Sequence, residues 1–550
     1  MLQTGGEILF RSLNENGINM VTGVPGGPLV PFINAIRNHH EQSHNFRNIV
    51  STHETLATLT ASTFGRFNRW PGVAYVSRKG GADNATLGIT QAQMHGDPLI
   101  VIVGQKPPNL RGPFDIQATD IQADFAHRVK RVIKLTEAGE IPEMINLAIR
   151  ESINDRPGVV LVEAPAQVLA TDISGLIPIP TVSARNVLEP ETAQVRAFLN
   201  ALRQSHKPLV IVGHIALFES AQEEIKRFVK AIGAMVLLPF RQENLYPWHD
   251  VAFGGSFQPR LSIEPAMDEI IQTCDSLFIL GDAFNDVTTG KYTLFRDLKT
   301  IVHCYPQASL AKTIYPQKID LTTNLRPLLE QVNQEIARAP QLVDETWRAK
   351  RKEWHAERLQ FMEGPHWPTT ETLDMPAIWR YLATFPQATY IRGAGNYDNA
   401  HVRYLRTENS FGTFSGDMGY ALGAVLGLSL TEPYQKGEKI AVALAGDGEA
   451  GMFLLPALLT ARQYNLPAKF FVFNDGQYTE IAKEIGHSFG MELSGPDLFG
   501  IGQAKVPDIE RVSCMSQVKP AIQSAYQSQH APCVIEFNLV ADKKDKKVAA

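Results

Sequence analysis

Two short polar motifs, each at the end of an apolar run, are the residues in this sequence best suited to chemistry. Gly446-Asp447-Gly448 follows IAVALA, and Asn474-Asp475-Gly476 follows AKFFVF. Carboxylate, amide and carbonyl oxygens are the hard ligands that Mg²⁺ prefers, and Mg²⁺ commonly shares its coordination shell with phosphate oxygens. Glycines let the backbone approach a phosphate, and a following helix N-terminus adds N–H donors. The two motifs together predict a Mg²⁺ ion that bridges the protein and a diphosphate, although either motif alone is typical of a turn.

A strand, a helix and a second strand must bring Asp447 and Asn474 together. IAVALA and AKFFVF are typical of buried strands, and MFLLPALLTARQY between them is typical of a helix, with Pro456 in its first turn or at a kink. A right-handed crossover of this kind makes the two strands parallel. If the strands are neighbours, Asp447 and Asn474 lie about 5 Å apart. They lie at the sheet edge where α/β proteins bind ligands.

Glu54 is a second candidate for chemistry, in the first third of the chain. It follows the apolar run of FRNIV and opens a helical segment that is poor in charge, ETLATLTASTFGRF. A carboxyl group in apolar surroundings can retain its proton and donate it. A carboxylate that pairs with the helix dipole is the alternative. The position of Glu54 by itself favours neither.

Apolar runs that alternate with helical segments predict the fold. The runs are short and rich in Val and Ile, as in strands that are buried on both faces of a parallel sheet. The alternation restarts after a proline-rich connector and again after a polar, Trp-containing stretch. We therefore predict an α/β protein with three doubly wound domains and mainly parallel sheets. The predicted boundaries are 1–175, 190–340 and 365–541.

The composition excludes several classes of protein. The chain has 550 residues, of which 44% are hydrophobic and 20% charged, so disorder is not expected to dominate. A net charge of -5 provides no field suited to binding nucleic acid or an anionic membrane. No apolar run is long enough to span a bilayer, and no secretory signal is visible at the start. The four cysteines have no metal-ligand spacing, which favours reduced thiols and a cytoplasmic location.

Segments in all three blocks resemble the acetolactate synthase-like family of thiamin-diphosphate enzymes. Asp447 followed by Asn474 is similar to the thiamin-diphosphate motif. GVPGG, the HE pair at Glu54 and KGGADNATLGITQAQMHGDPLIVIVGQ are similar to the pyrimidine-binding domain of that family. ILGDAFNDVTTG is similar to its central domain. The resemblance implies that the first domain binds the pyrimidine and the third binds the diphosphate.

The resemblance also assigns residues to the cofactor. Thiamin diphosphate would be held through a Mg²⁺ ion on Asp447, Asn474 and the carbonyl of Gly476. Glu54 would hydrogen-bond the aminopyrimidine ring. The other residues placed along the cofactor are Pro25, Gly26, Gly395, Asn396, Gly416, Met418, Gly446, Gly448, Glu449, Ala450, Gln477 and Tyr478.

Further residues are candidates for proton transfer or substrate contact. Gln117, in FDIQATD, matches a glutamine that faces the thiazolium ring. His53, beside Glu54, is predicted to orient a group or contact substrate. Glu480 matches an acid that manages protons in simple decarboxylases, with a surface ion pair as the alternative. His487 and Tyr478 are weaker candidates for the pocket.

The resemblance implies decarboxylation of a 2-oxo acid, but leaves the second step open. The product is formed either by carboligation to a second carbonyl, of an aldehyde or another 2-oxo acid, or by release of an aldehyde. In acetolactate synthases the central motif carries arginines, and Ala283 and Val287 stand at those positions here. A carboxylate without such a partner loses a charge-assisted contact. FAD binding stays open for the same reason.

The sequence disfavours two other classes of protein, and the resemblance predicts how the chain assembles. A nicotinamide-dependent oxidoreductase is disfavoured because no strand–turn–helix unit carries a convincing GxGxxG. A catalytically silent relative is disfavoured because Glu54, Asp447 and Asn474 are all present. The resemblance implies a homodimer or homotetramer with active sites shared between subunits. The net charge of -5 predicts no nucleic-acid or membrane partner.

Overall fold

The computed structural model describes residues 2–43, 45–107, 110, 112, 114–257, 266–307, 314–340, 344–362, 367–368, 371–395, 397, 404–405, 407–493, 509–528 and 530–540. The chain divides into two compact units: the first comprises residues 1–185, 387–396 and 415–550, and the second comprises residues 186–386 and 397–414. The three-domain boundaries remain a prediction. In the described parts of the chain, no helix combines the length and apolar character needed to cross a membrane.

The N-terminal part of the first unit alternates strands and helices, as the sequence predicts. Its strands are β1 Leu2–Thr4, β2 Met20–Gly23, β3 Arg47–Val50, β4 Gly72–Ser77, β5 Leu99–Gln105, β6 Arg131–Lys134, β7 Val159–Pro165 and β8 Asp172–Ser174. Its helices are α1 Gly5–Asn14, α2 Val30–Ser43, α3 Glu54–Asn68, α4 Arg78–His95, α5 Ile121–Phe125, α6 Ile141–Ile153 and α7 Ala166–Ala170.

Six of these strands form a parallel sheet in the order β3-β2-β4-β5-β7-β6. Its five apolar strands were predicted from their sequence. The sixth, β6, was missed because only Ile133 of its RVIK sequence is fully buried. An edge strand is less covered than a central strand and often carries charged side chains, so it lacks the apolar signature. The carboxyl ends of β2, β3 and β4 lead into the segments that carry Gly26, Glu54 and Arg78.

The second unit contains the central sheet and most of the remaining helices. Its strands are β9 Pro208–Val212, β10 Met235–Leu238, β11 Phe253–Ser256, β12 Ser276–Leu280, β13 Thr300–Cys304 and β14 Lys318–Leu321, together with β16 Ser410–Gly412. Its helices are α8 Thr192–Arg203, α9 Ile215–Phe218, α10 Gln222–Ile232, α11 Met267–Thr273, α12 Leu325–Arg338, α13 Glu345–Met362 and α14 Met375–Leu382. The sheet order is β11-β10-β9-β12-β13-β14, and all neighbouring strands are parallel.

The C-terminal part of the first unit holds the third sheet. Its strands are β15 Ala388–Arg392, β17 Ile440–Gly446, β18 Ala468–Asn474, β19 Ile509–Val512 and β20 Cys533–Asn538. Its helices are α15 Tyr420–Ser429, α16 Glu432–Gln435, α17 Asp447–Gln463, α18 Thr479–Ile485 and α19 Met515–Gln527. These strands lie in the order β15-β17-β18-β20-β19 and are parallel. The predicted α/β class with three mainly parallel sheets is therefore confirmed.

Helix α15 joins the N-terminal and C-terminal sheets of the first unit. All ten of its residues are buried, and it packs along α3. A Cβ atom at Gly423 would lie 2.5 Å from the Cβ of Leu59, and one at Gly427 would lie 2.3 Å from the carbonyl oxygen of Thr60. The two helices therefore approach closely at positions where only glycine fits.

A buried polar cluster lies beside this helix pair. Arg66 contacts Asp97 at 3.5 Å and the Tyr420 hydroxyl at 3.3 Å, and Ser62 donates to Asp97 at 2.7 Å. Burial acts to raise the pKa of Asp97, but Arg66, His95 and Ser62 outweigh it and lower that pKa. The cluster thus balances its charges within the packed interior.

Candidate active site

Asp447 and Asn474 converge at the carboxyl edge of the third sheet. Strands β17 and β18 are neighbours, with Gly446 opposite Phe473. The N–H of Gly476 donates to Asp447 Oδ2 at 2.8 Å and to Asn474 Oδ1 at 3.1 Å. A single N–H group between them brings the carboxylate oxygen and the amide oxygen together. The predicted juxtaposition is present.

A buried glutamate on the neighbouring strand orients Asn474. Its Nδ2 donates to Glu536 Oε1 at 2.6 Å, and the other carboxylate oxygen of Glu536 accepts from Arg511 Nε at 2.9 Å. This contact directs Oδ1 of Asn474 towards Asp447. Glu536 was not among the residues predicted from the sequence, although a glutamate in the otherwise apolar strand CVIEFN was the available signal.

The surroundings of Asp447 are those of a carboxylate that lacks a counter-charge. Burial, and then the charge of Asp475, raise the pKa of Asp447 to about 6. The N–H of Gly448 donates to its Oδ1 at 3.1 Å. In the described residues there is no cluster of three or more His, Cys, Asp and Glu that could hold a metal by itself. One carboxylate and one amide oxygen fit a Mg²⁺ ion that takes further oxygens from a diphosphate.

The neighbouring residues form a close-fitting turn. A Cβ atom at Gly448 would lie 2.6 Å from Tyr478 Cε1, so the tyrosine ring covers that glycine. Gly476 has a φ of +72°, which favours glycine. Gln477 Nε2 donates to Thr479 Oγ1 at 3.0 Å. Pro456 lies at the middle of α17 and not in its first turn, because the helix already begins at Asp447.

Glu449 is directed away from this edge. It is fully buried, and its Oε1 accepts from the backbone N–H groups of Gly419 and Ala421 at 2.9 and 3.3 Å. It therefore caps the start of α15, and a Cβ atom at Gly393 would collide with its carboxylate. The backbone of Glu449, in the first turn of α17, remains available for the role along the diphosphate predicted from the sequence.

The remaining cofactor candidates of the third block that the structure describes lie in loops or at the start of α17. Gly395 and Gly416 have φ values of +134° and +77°. Gly416 is exposed, Met418 is half-buried and Ala450 is buried at the start of α17. Asn396 lies outside the described residues. The roles of all five residues stay predictions.

Glu54 opens α3 and receives a hydrogen bond from α4. Asn84 Nδ2 donates to Glu54 Oε2 at 3.1 Å, and a Cβ atom at Gly81 would lie 3.4 Å from Oε1. His53 caps the helix, since its Nδ1 accepts from the N–H of Thr55 at 3.1 Å. Sequence reasoning missed Asn84, because no local pattern joins it to Glu54.

The His53 ring also connects Glu54 to the third sheet. It packs edge-on against Phe453 of α17, with 5.2 Å between ring centroids. Helix α17 begins at Asp447. The two candidate groups therefore lie in one compact unit, on helices that touch.

Gln117 is also near the carboxyl end of the N-terminal sheet. It has a left-handed φ of +56°, and its Oε1 accepts from Arg78 Nη1 at 3.1 Å. Gly26 packs on Ser77, since a Cβ there would lie 2.1 Å from its Oγ. Pro25 immediately precedes Gly26 in the turn after β2.

Glu480 and His487 belong to a separate segment. Glu480 is half-buried in α18, and His487 is exposed just beyond that helix. No described contact joins either side chain to Glu54 or Asp447. Their roles stay predictions.

The segment 282–287, whose missing arginines left FAD binding open, forms a turn with hydrogen bonds of its own. The N–H of Phe284 donates to Asp282 Oδ1 at 2.8 Å, and the N–H of Val287 donates to Asn285 Oδ1 at 3.1 Å. A Cβ atom at Gly213 would lie 2.3 Å from Asp282. This turn therefore has its own internal hydrogen bonds and carries no arginine at positions 283 and 287. FAD binding stays an open prediction.

Comparison with known families agrees with this geometry. Three models of the thiamine pyrophosphate enzymes match: the N-terminal TPP binding domain over residues 3–127, the central domain over 195–332 and the C-terminal TPP binding domain over 393–537. Together the three matches span most of the chain, and each covers strands of a different sheet.

Curated relatives match along nearly the whole chain. The large subunit of acetolactate synthase isozyme 3 from Escherichia coli is 26% identical, over 91% of this chain and 88% of its own length. The acetolactate synthase large subunit of Corynebacterium glutamicum is 25% identical, over 97% and 86%. A probable acetolactate synthase large subunit from Methanocaldococcus jannaschii is 23% identical, over 95% and 90%. This chain therefore belongs to the acetolactate synthase-like family of thiamine pyrophosphate-dependent enzymes.

Proposed function

We propose that this protein decarboxylates a 2-oxo acid and joins the remaining fragment to a second carbonyl compound, with thiamin diphosphate and Mg²⁺ as cofactors. The observation that supports this proposal most directly is the convergence of Asp447 and Asn474 on the N–H of Gly476. It occurs at a sheet edge and at the start of a helix, where a diphosphate is favoured. The relatives are acetolactate synthases, which extends the proposal to carboligation.

The residues of this chain would perform separable tasks. Asp447, Asn474 and the carbonyl of Gly476 would bind Mg²⁺, and the first N–H groups of α17 would face the diphosphate. When bound, the cofactor supplies an electron sink for the pair released by decarboxylation. Glu54 would hold a hydrogen bond at the ring nitrogen of the aminopyrimidine, and Asn84 would orient its carboxyl group.

The assembly and location are part of the same proposal. A homodimer or homotetramer would complete each active site with residues of a second copy. The exposed apolar residues Met452, Leu455 and Leu459 along one face of α17 support such an interface. Free cysteines, three of them buried, support a reducing compartment such as the cytoplasm.

Thermal unfolding with added cofactors tests the proposal. At a hundredfold excess over its dissociation constant, a ligand specific for the folded state stabilises by about 2.7 kcal/mol. We expect thiamin diphosphate plus Mg²⁺ to stabilise the folded protein by about this amount, and NAD to leave its stability unchanged. Chelation or the Asp447→Ala substitution should abolish it. Unchanged cofactor binding after both treatments would contradict the metal site.

The reaction itself requires a product assay. A panel of 2-oxo acids, with and without acceptor aldehydes, should be analysed by mass spectrometry for CO2 release and new carbon–carbon bonds. Carboligation products support the proposal. Aldehyde as the sole product would identify a simple decarboxylase, and cofactor binding without any turnover would identify a catalytically silent relative.

A further inference from the structure

Arg78 has a strained backbone at the junction of β4 and α4. Its φ is +54°, in the left-handed region that residues with a Cβ atom rarely adopt. It is the first residue of an 18-residue helix that begins at the carboxyl end of β4. Strain of this kind is costly and persists where the surroundings require it, often at binding sites.

The guanidinium group of Arg78 is positioned by neighbouring residues, but not all of its N–H donors have hydrogen-bond partners among the described residues. Nη1 donates to Gln117 Oε1 at 3.1 Å, and Gln117 itself has a left-handed backbone. Nη2 would lie 3.7 Å from a Cβ atom at Gly27, so the group rests over the glycine turn that follows β2. Nε is buried and has no hydrogen-bond partner among the described residues. These contacts fix the orientation of the guanidinium group and leave some of its N–H groups free to donate to a ligand.

The first turn of α4 places Arg78 beside the candidate active site. Gly81, one helical turn after Arg78, lies against Glu54 Oε1. Asn84, one turn later, donates to Glu54 Oε2. The strand that leads to Arg78 is separated from the strand that leads to Glu54 only by β2. Neighbouring strands are about 4.8 Å apart, so the two groups lie along the same short stretch of the sheet edge.

A planar guanidinium is the side chain best matched to a carboxylate. In the proposed reaction, the donor loses its carboxylate as CO2. The electron pair of that broken bond forms the new bond to the acceptor carbonyl carbon, and the acceptor oxygen gains a proton. The donor carboxylate gives up its negative charge, so an arginine bound to it would stabilise the reactant more than the transition state. The carboxylate of a 2-oxo acid acceptor keeps its charge throughout.

We propose that Arg78, positioned by Gln117, binds the carboxylate of the acceptor and thereby selects a second 2-oxo acid over an aldehyde. This inference rests on the proposed function and names the acceptor class of that same site.

Lys79 provides the matched control. It is the next residue along α4, but it is exposed and pairs with Asp83 at 2.8 Å, one turn along the same helix. A neutral residue at this position removes one positive charge from the same turn of the helix and leaves the guanidinium group of Arg78 unchanged.

The experiment measures how the holoenzyme, loaded with thiamin diphosphate and Mg²⁺, partitions its products. Pyruvate serves as donor, and 2-oxobutyrate or benzaldehyde serves as acceptor. In Arg78→Gln, the yield of hydroxy acid per CO2 should fall about tenfold or more, and the KM for 2-oxobutyrate should rise by a similar factor. The yield of benzaldehyde-derived hydroxyketone per CO2 should fall much less. Arg78→Lys should recover part of the loss, and Lys79→Gln should match the wild type.

Several results would overturn the inference. An Arg78→Gln enzyme with the wild-type ratio, or one that loses both ligation products in equal proportion per CO2, would exclude an acceptor-specific contact. If Arg78→Gln fails to fold, the Arg78→Lys enzyme decides by the same ratios. A wild-type enzyme that releases CO2 but joins no 2-oxo acid would refute this inference alone. A wild-type enzyme that binds the cofactor but releases no CO2 from any 2-oxo acid would refute the proposed function.

Discussion

Asp447 and Glu54, the two candidate acids, are held by different kinds of donor. Asp447 is half-buried and accepts from two backbone N–H groups at the start of α17. Glu54, at the start of α3, accepts a hydrogen bond from the neutral side-chain amide of Asn84 on α4. Fixed backbone donors suit a metal ligand that stays charged. A carboxyl group with one neutral side-chain partner suits hydrogen bonding to a cofactor ring.

We expect Glu54→Gln to fold normally and to lower turnover by about 100-fold or more, because the amide retains the hydrogen bond from Asn84 but cannot supply a proton. Steady-state rates of CO2 release, with a circular dichroism spectrum to check folding, provide the measurement. Asp83→Asn, the same chemical change on the exposed face of α4, is the control. A Glu54→Gln enzyme as fast as this control would remove Glu54 from the mechanism.

Helices are the elements that connect the two halves of the candidate site. Helix α15 has no polar face and is buried on all sides, so its neighbours α3 and α17 depend on it for their positions. Glycines at the contact with α3 permit an approach that side chains would prevent. The placement of Glu54 relative to the third sheet thus depends on helix packing far from either acid.

Gly427→Ala should destabilise the protein by about 2 kcal/mol, since its new Cβ atom must displace the backbone of α3. Gly451→Ala is the matched control, because a Cβ atom at that position of α17 meets nothing within 4 Å. Removing a helical glycine there should stabilise by about 0.5–1 kcal/mol. Urea unfolding of both variants measures the difference. Equal midpoints would show that the close approach at Gly427 carries no cost.

At the scale of the whole molecule, exposed apolar residues support the proposed contact with a second copy. Met452, Leu455 and Leu459 recur at helical spacing along α17, the helix that begins with Asp447, and each is about half exposed. Ile481 and Ile485, on α18, are exposed apolar residues as well. Such a patch beside a candidate active site is consistent with a site that two chains share.

The double substitution Met452→Glu, Leu455→Glu should convert the assembly to monomers and abolish turnover, because charges in an apolar interface lose their hydration. Sedimentation velocity and CO2 release are measured on the same samples. Leu359→Glu, on an exposed position of α13, is the control and should preserve both the assembly and the rate. A double variant with the wild-type mass would place the interface elsewhere.

The sequence by itself determined the fold class and the two residues of the proposed metal site. Buried central strands are apolar throughout, and the sequence places Asp447 and Asn474 at the ends of two such strands. The pairing of β17 with β18 in the structure makes them neighbours. Edge strands such as β6 and β14 escaped prediction because charged residues interrupt their short apolar patterns.

Only the tertiary structure decided which side chains support those candidates. Asn84 reaches Glu54, Glu536 orients Asn474, and Arg78 meets Gln117, each pair separated widely in sequence. Hydropathy and spacing report the environment of one segment, whereas these contacts arise from how separate helices and strands meet at the sheet edges. The direction of a side chain towards a distant partner is a property of packing, and no local pattern encodes it.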